Sequence, residues 1–311
     1  MKTAILLIAH GTVERLDELP GFLANIRRGH PAPPELVAEV RRRYEAIGGR
    51  SPLGDICRAL AGKVAERLGV PTRVAMRLWQ PYPKEVLEGL LREGVTRIVV
   101  LPLAQHSAKV YGEAVEAAAT ELGAKDLEVV CADNWGQEPL LIHAYAQEIR
   151  RALAEVPVAD RARTTLLMTA HSLPVAVVKA GDPYEREVRA SAEAIAREVR
   201  SGDHDSLRHE VVFQSQGMGT GPGGRPRGVS DGWLGPGLEE SLTAAAARGD
   251  TRIVVAPIGF LADHVEILYD LDIEAHAWAR ELGLTLTRTR SLNASEGLVD
   301  ALAKVASPLV G

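Results

Sequence analysis

Thr96-Arg97-Ile98-Val99-Val100-Leu101-Pro102 and Thr251-Arg252-Ile253-Val254-Val255-Ala256-Pro257 are near-copies of one stretch, set 155 residues apart in a chain of 311. A β-branched apolar run closed by proline reads as a buried strand with a hard stop. A weaker echo precedes each copy: Leu6-Leu7-Ile8-Ala9-His10-Gly11 and Leu166-Leu167-Met168-Thr169-Ala170-His171-Ser172. Chance could give one such match, but two in the same order point to an internal repeat. Each half opens on a strand ending in Ala-His and carries a later strand ending in Pro.

Short apolar runs continue outward from these at 4–9, 73–78, 97–103, 127–131, 164–169, 210–215, 252–257 and 284–288. Between them, helical spacing covers 34–47, 54–68, 84–93, 112–122, 139–156, 183–199, 238–248, 265–282 and 295–305. This alternation predicts an α/β chain of two doubly wound, Rossmann-like domains, 1–156 and 157–311, joined near 156–163. Ligands of such sheets bind outside the carboxyl ends of the strands, so chemistry is expected just after each strand. The stretch 217–237, with nine glycines and three prolines, reads as a mobile surface loop.

Composition narrows the function classes. With 46% apolar and 25% charged residues, both halves can bury a core. The longest apolar runs (4–9, 98–104, 253–258) are less than half of the roughly 18 residues a membrane-spanning helix needs. No secretory leader is visible, so a cytoplasmic protein without integral membrane association is expected. A formal net charge of −5 argues against nucleic acid as partner. Two cysteines, Cys57 and Cys131, cannot build a disulfide scaffold, a four-thiolate zinc site or an iron–sulfur cluster. No heptad seam appears, which makes a monomer the default.

Several residues could carry chemistry. His171 follows its strand directly, where an imidazole can bind a metal or move a proton; a histidine satisfied by a backbone carbonyl fits equally well. Glu266, Asp270 and Glu274 stand four apart, on one face of the expected helix. Such a row is either a solvated acidic face or, given Val265, Ile267, Leu268, Tyr269, Leu271 and Ile273 around it, a cation or proton path. Asp263 and His264 could tether Glu266 or orient its helix. His10 is the counterpart of His171 in the repeat, and the remaining histidines at 30, 143, 204, 209 and 276 form no constellation. Arg27 and Arg28, with Arg41, Arg42 and Arg43, are basic clusters that could pair with a ligand bearing several carboxylates, or simply solvate a helix face. Neither a phosphate loop nor a G-x-S-x-G elbow is present.

Taken together, these motifs are recognisable. The stretch 9–53, with N-I-R-R-G and R-Y-E-A-I-G-G-x-S-P-L, resembles the soluble bacterial ferrochelatases. So do T-A-H-S-L-P at 169–174, G-D-P-Y at 181–184, F-Q-S at 213–215, W-L-G-P at 233–236 and G-F-x-x-D-H-x-E-x-L-Y-D-x-D-x-E at 259–274. The resemblance implies a chelatase-type fold with a ligand cleft between two lobes, and a lyase that inserts Fe2+ into a porphyrin, making haem and releasing two protons. It implies His171 and Glu266 as the catalytic and metal-binding pair, facing each other across the cleft, with Asp270 and Glu274 as the acidic path behind. Arg27, Arg28, Arg43, Ser51 and Tyr111 match residues that hold propionates. His10 stands where coproporphyrin-type relatives carry a tyrosine, and Gln80 replaces the histidine of a W-H-P motif. Neither a membrane-binding lip nor a C-terminal cysteine cluster is seen, so Fe2+ is expected as substrate with no prosthetic group. The arginines favour coproporphyrin III over protoporphyrin IX. The alternatives are a cobalt or nickel chelatase for sirohydrochlorin-type rings, suggested by the Ala-His-Gly-Thr start, and a non-catalytic tetrapyrrole carrier.

Overall fold

The structure, a computed structural model, describes residues 2–200, 207–215 and 232–311. Of the loop expected at 217–237, residues 217–231 lie outside them, as does His204, whereas 232–237 are tied by backbone bonds to Leu173, Val175 and Phe213. Eight strands form: β1 (Thr3–Ala9), β2 (Thr72–Met76), β3 (Arg97–Pro102), β4 (Glu128–Cys131), β5 (Thr164–His171), β6 (Arg208–Gln214), β7 (Arg252–Ala256) and β8 (Thr285–Arg288). They make two four-stranded parallel sheets of the same order, β2-β1-β3-β4 and β6-β5-β7-β8. In each, the first strand has its next in sequence on one side and the crossover strand on the other. The connection reverses between β1 and β3, and between β5 and β7, and such a switch point opens a crevice beyond the strand ends.

The helices that matter below are α1 (Leu19–Ile26), α2 (Pro34–Ala46), α3 (Leu53–Leu68), α4 (Pro83–Arg92), α5 (Ala108–Glu121), α6 (Pro139–Ala154), α7 (Val175–Lys179), α8 (Tyr184–Arg200), α9 (Leu238–Ala247), α10 (Val265–Leu268), α11 (His276–Glu281) and α12 (Glu296–Val310). The central strands carry near-continuous apolar runs because both their faces are covered. Leu6, Ile8 and Val100 pack with Leu87, Leu90 and Val115 from α4 and α5. In the second sheet Leu167, Val212 and Val255 pack with Leu242, Ile267 and Leu271.

Two compact units result. One comprises Met1–Leu141, Leu261–His264 and Leu292–Gly311, the other Ile142–Phe260 and Val265–Ser291. The sequence suggested a single cut at 156/157, whereas these units are discontinuous. α12 closes the first unit: Lys63 and Arg67 of α3 pair with Glu296, and Arg97 of β3 donates to the Leu309 carbonyl. Helix 265–282, expected to be continuous, is broken by a π-helical stretch at Asp270–Ala275. Two helices were not anticipated. In α1, Pro20-Gly21 disguises the periodicity, and in α7 the run Val-Ala-Val-Val has strand-like composition. Among the described residues no helix is long and apolar enough to cross a membrane.

Candidate functional site

The switch point of the second sheet brings the polar residues together. His171 is the last residue of β5, and Glu266 opens the helix that follows β7. Their approach depends on Gly259, whose N–H donates to the Thr169 carbonyl at 2.9 Å. A Cβ on Gly259 would stand 2.6 Å from Ala170 Cβ and 2.7 Å from its Cα, so only glycine lets the loop after β7 lie so close to β5. His171 Nδ1 then lies 3.2 Å from Glu266 Oε2. Both residues belong to the second unit and touch directly, rather than standing opposite each other as the resemblance implies.

Their electrostatics follow from that contact. Burial pulls the His171 imidazole toward its neutral form, but the Glu266 carboxylate, the hydrogen bond between them and the charge of Asp270 outweigh it, raising its pKa above the ordinary histidine value. The side chain still keeps 39% of its surface, so the ring is supported from behind and open in front. With Glu266 ionised, Nδ1–H donates to the carboxylate and the Nε2 lone pair is left to accept a proton or ligate a metal. Tyr184 of α8 donates from its hydroxyl to the His171 carbonyl at 2.9 Å and fixes the end of the strand.

Behind Glu266 the helix widens. Glu274 N–H donates to the Tyr269 carbonyl five residues back, the bond of a π-turn. In an α-helix each step of four residues advances about 40° around the axis, so Glu266, Asp270 and Glu274 would drift off one face. The wider turn at Asp270–Ala275 reduces that drift over the second step. Asp270 is 3% exposed and Glu274 half-buried, so this row is not a solvated surface.

The other expected residues fall in the first unit. His10 ends exposed, its ring edge-on to Phe22 with centroids 6.4 Å apart. Arg27 follows α1 with its Nε buried and without a hydrogen-bond partner among the described residues, and Arg28 is exposed with φ of 58°. Arg43 is held by Glu39 of its own helix at 2.8 Å. The Ser51 hydroxyl accepts from Leu53 N–H at the start of α3. Tyr111 lies under the Arg77 guanidinium, 5.7 Å from ring centroid to carbon. Asp263 is tied to Asn293 by a reciprocal pair of bonds, Asp263 N–H to Oδ1 and Asn293 Nδ2 to Oδ2. Asp263 therefore anchors the approach to the acidic helix without touching Glu266 in any bond of that pair.

Several contributors went unnoticed in the sequence. Tyr184 and Gly259 lie inside motifs quoted above, yet nothing in their spacing told of these contacts. His106, in the loop after β3, is 3% exposed, and burial pushes its pKa down to about 4. His209 is not a surface histidine either, since Glu193 and Arg200 enclose it. Burial raises the Cys57 thiol to about 12 and the Cys131 thiol to about 11, so neither offers a thiolate near neutral pH. Among the described residues no group of three or more His, Cys, Asp and Glu side chains is arranged to hold a metal. A cavity of about 420 Å³ beside β2 is lined by Thr12, Gly54 and Gln80, and its arginines, Arg58 and Arg73, pair with Glu14, Asp55 and Glu93.

Comparison with known proteins decides the family. The ferrochelatase profile matches residues 2–308. This chain belongs to the ferrochelatase family. A ferrochelatase of Acidobacterium capsulatum is 37% identical over 98% of this chain and 94% of its own. The coproporphyrin III ferrochelatase of Geobacillus kaustophilus is 34% identical over 98% and 95%. Among solved structures, SirB of Bacillus subtilis with Fe3+ superposes with a TM-score of 0.59 at 15% identity, covering 100% of this chain and 96% of that one. CbiX, the terminal enzyme of siroheme biosynthesis in denitrifying bacteria, gives 0.53 at 15% identity over 99% and 100%. Those two likenesses concern the chelatase fold alone. The family consists of lyases that act as porphyrin metal chelatases, with Fe2+ as substrate.

Proposed function

We propose that this ferrochelatase inserts Fe2+ into coproporphyrin III in preference to protoporphyrin IX, with His171 and Glu266 as the pair that receives the metal and takes the pyrrole protons. The observation that carries this reading is the contact of His171 with Glu266 at the switch point, backed by a half-buried acidic row. A free-base porphyrin holds two N–H protons that must leave as Fe2+ enters, so insertion needs a base beside the ring nitrogens. His171 Nε2 supplies it. Glu266 orients the imidazole and stabilises the imidazolium that forms, the part a buried carboxylate plays behind a catalytic histidine. The two protons then pass by Asp270 and Glu274 to solvent.

Two nitrogen and oxygen donors also suit delivery, since a full cage with thiolate would hold the iron rather than release it. In the first unit, Arg27, Arg28, Arg43, Ser51 and Tyr111 are the proposed propionate contacts and His10 a contact to the ring. Asp263 and His264 hold the approach to Glu266. A tetrapropionate ligand makes fuller use of that cationic set than a dipropionate, and the name of the Geobacillus kaustophilus relative accords with it.

The test is anaerobic metal insertion followed by haem absorbance, with coproporphyrin III, protoporphyrin IX and sirohydrochlorin side by side. The reading expects haem formation with the highest kcat/KM for coproporphyrin III, and two protons released per haem in weakly buffered solution. Porphyrin binding without turnover would make the chain a carrier and overturn it; turnover of sirohydrochlorin alone would overturn the choice of ring.

A further inference from the structure

Two consecutive side chains at the end of β6 grip the acidic helix. Gln214 donates from Nε2 to the backbone carbonyl of Glu266 at 3.1 Å, and Ser215 donates from Oγ to Asp270 Oδ2 at 2.5 Å. Neighbours on a strand point to opposite faces. Both reach one helix because Ser215 leaves the strand with φ of 58°, a left-handed conformation that a residue with a Cβ adopts at a cost.

The same dipeptide is bound to the other half of the site. Gln214 is the register partner of His171 in the sheet, and its carbonyl accepts from Ser172 N–H at 2.8 Å. Its backbone thus follows the strand end that carries the imidazole, while its side chain follows the helix that carries the carboxylate.

Stability alone does not account for this arrangement. Gln214 is 4% exposed, and its Oε1 has no hydrogen-bond partner among the described residues. The bond to the Glu266 carbonyl identifies the nitrogen end of the amide, because a flipped amide would set oxygen against oxygen. A buried orphan oxygen and a left-handed serine, side by side, are two local costs: leucine would remove the first, and glycine would remove the second only by taking a donor from the buried Asp270 carboxylate. Local violations of this kind are expected where geometry for function is being held.

We propose that Gln214 and Ser215 are positioning residues for metal insertion, fixing Glu266 and Asp270 at their distances from His171. This rests on the insertion reading above. The pair touches no reacting atom; it acts through the helix it holds.

The decisive variants are Gln214→Leu and Ser215→Gly in the full chain. Leucine has a similar volume and removes the orphan oxygen, so the Gln214→Leu midpoint is expected to hold or rise; glycine relieves the left-handed backbone but removes a donor from the buried Asp270, so the Ser215→Gly midpoint is expected to hold or fall slightly. Haem formation is expected to fall at least tenfold in kcat for each, with porphyrin KM within twofold. The double variant should lose less than the product of the two, because both act on one helix segment. Amide hydrogen exchange over 266–275 should accelerate at least tenfold, with the core strands unchanged. Wild-type kcat in both variants, or a lowered midpoint with kcat intact, would show ordinary structural residues and overturn the proposal. If the wild-type chain forms no haem at all, the insertion reading falls, and unchanged exchange over 266–275 still sinks the clamp by itself.

Discussion

The two sheets share strand order and connection, and at the switch point of the second a histidine meets a carboxylate. At the offset relating the two Thr-Arg-Ile-Val-Val stretches, Glu266, Asp270 and Glu274 fall on Tyr111, Val115 and Ala119. Val115 is fully buried in the first core and Ala119 nearly so, on a regular α-helix, α5. The corresponding helix of the second unit carries carboxylates and contains a π-helical stretch at Asp270–Ala275. His10 and His171 end equivalent strands, but His10 meets an aromatic edge where His171 meets a carboxylate. The fold repeats and the chemistry does not: a strand end supplies a place, and its neighbours decide what a histidine there can do.

The strongest way to break this comparison is to remove each histidine in turn. His171→Ala should lower haem formation by roughly 10²–10⁴-fold, the usual worth of a positioned general base, with circular dichroism unchanged. His10→Ala should cost less than a tenth as much. Equal losses would mean that both strand ends are catalytic.

Two histidines give the next largest contrast, in the pH dependence of stability. His106, after β3, has its pKa pushed down to about 4 by burial, so the unfolded chain binds its proton first. Its contribution is complete above about pH 6.5 and is lost as pH falls toward 4, roughly 3 kcal/mol at most. His171, raised by Glu266 and Asp270 against its burial, contributes in the opposite sense. Its stabilisation is complete below the unfolded value and is lost as pH rises through its folded pKa. Urea unfolding should therefore show His106→Gln flattening the acid limb between about pH 4 and 6.5, while His171→Gln leaves that limb unchanged and removes a loss of stability above about pH 6.5. The same direction for both would contradict the electrostatic distinction between the units.

The smallest of these effects concerns a single methyl group. Gly259→Ala drives a Cβ into Ala170, and relief should cost roughly 1–3 kcal/mol together with a loss of activity as Glu266 moves off His171. At the same offset the first unit has Ala104, and Ala104→Gly should change stability by less than about 1 kcal/mol. A thermal midpoint unaltered in Gly259→Ala would show that the close approach is not what positions the pair.

Much of this architecture was legible because the central strands are buried on both faces. Runs such as Ile98–Leu101 stand out as unbroken apolar stretches, and every strand lies within two residues of its expected bounds at the start. Residue types and motifs singled out His171 and Glu266, and the structure brings them into contact. Other features leave little trace in a linear pattern. Spacing of four fits both an α-turn and its π-widened version, so the break at Asp270–Ala275 was invisible. Asp263 finds Asn293 thirty residues away, and Ser215 joins Asp270 across two crossovers, pairings that depend on tertiary approach rather than periodicity. The bond of Arg43 to Glu39 one turn away likewise appears only once α2 has formed.

The placement of α12 has a consequence for biosynthesis. Domains ordinarily fold as they emerge, the N-terminal one first. Here Leu298, Val299, Leu302 and Ala306, buried members of the first unit, are translated only after the whole second unit. The first sheet must wait, one face uncovered, until the whole second unit has been made, while the second has no such dependence on the C-terminal helix. A ribosome-stalled chain ending at residue 291 should therefore be protease-resistant over β5–β8 and nicked over β1–β4, the later unit maturing before the earlier one.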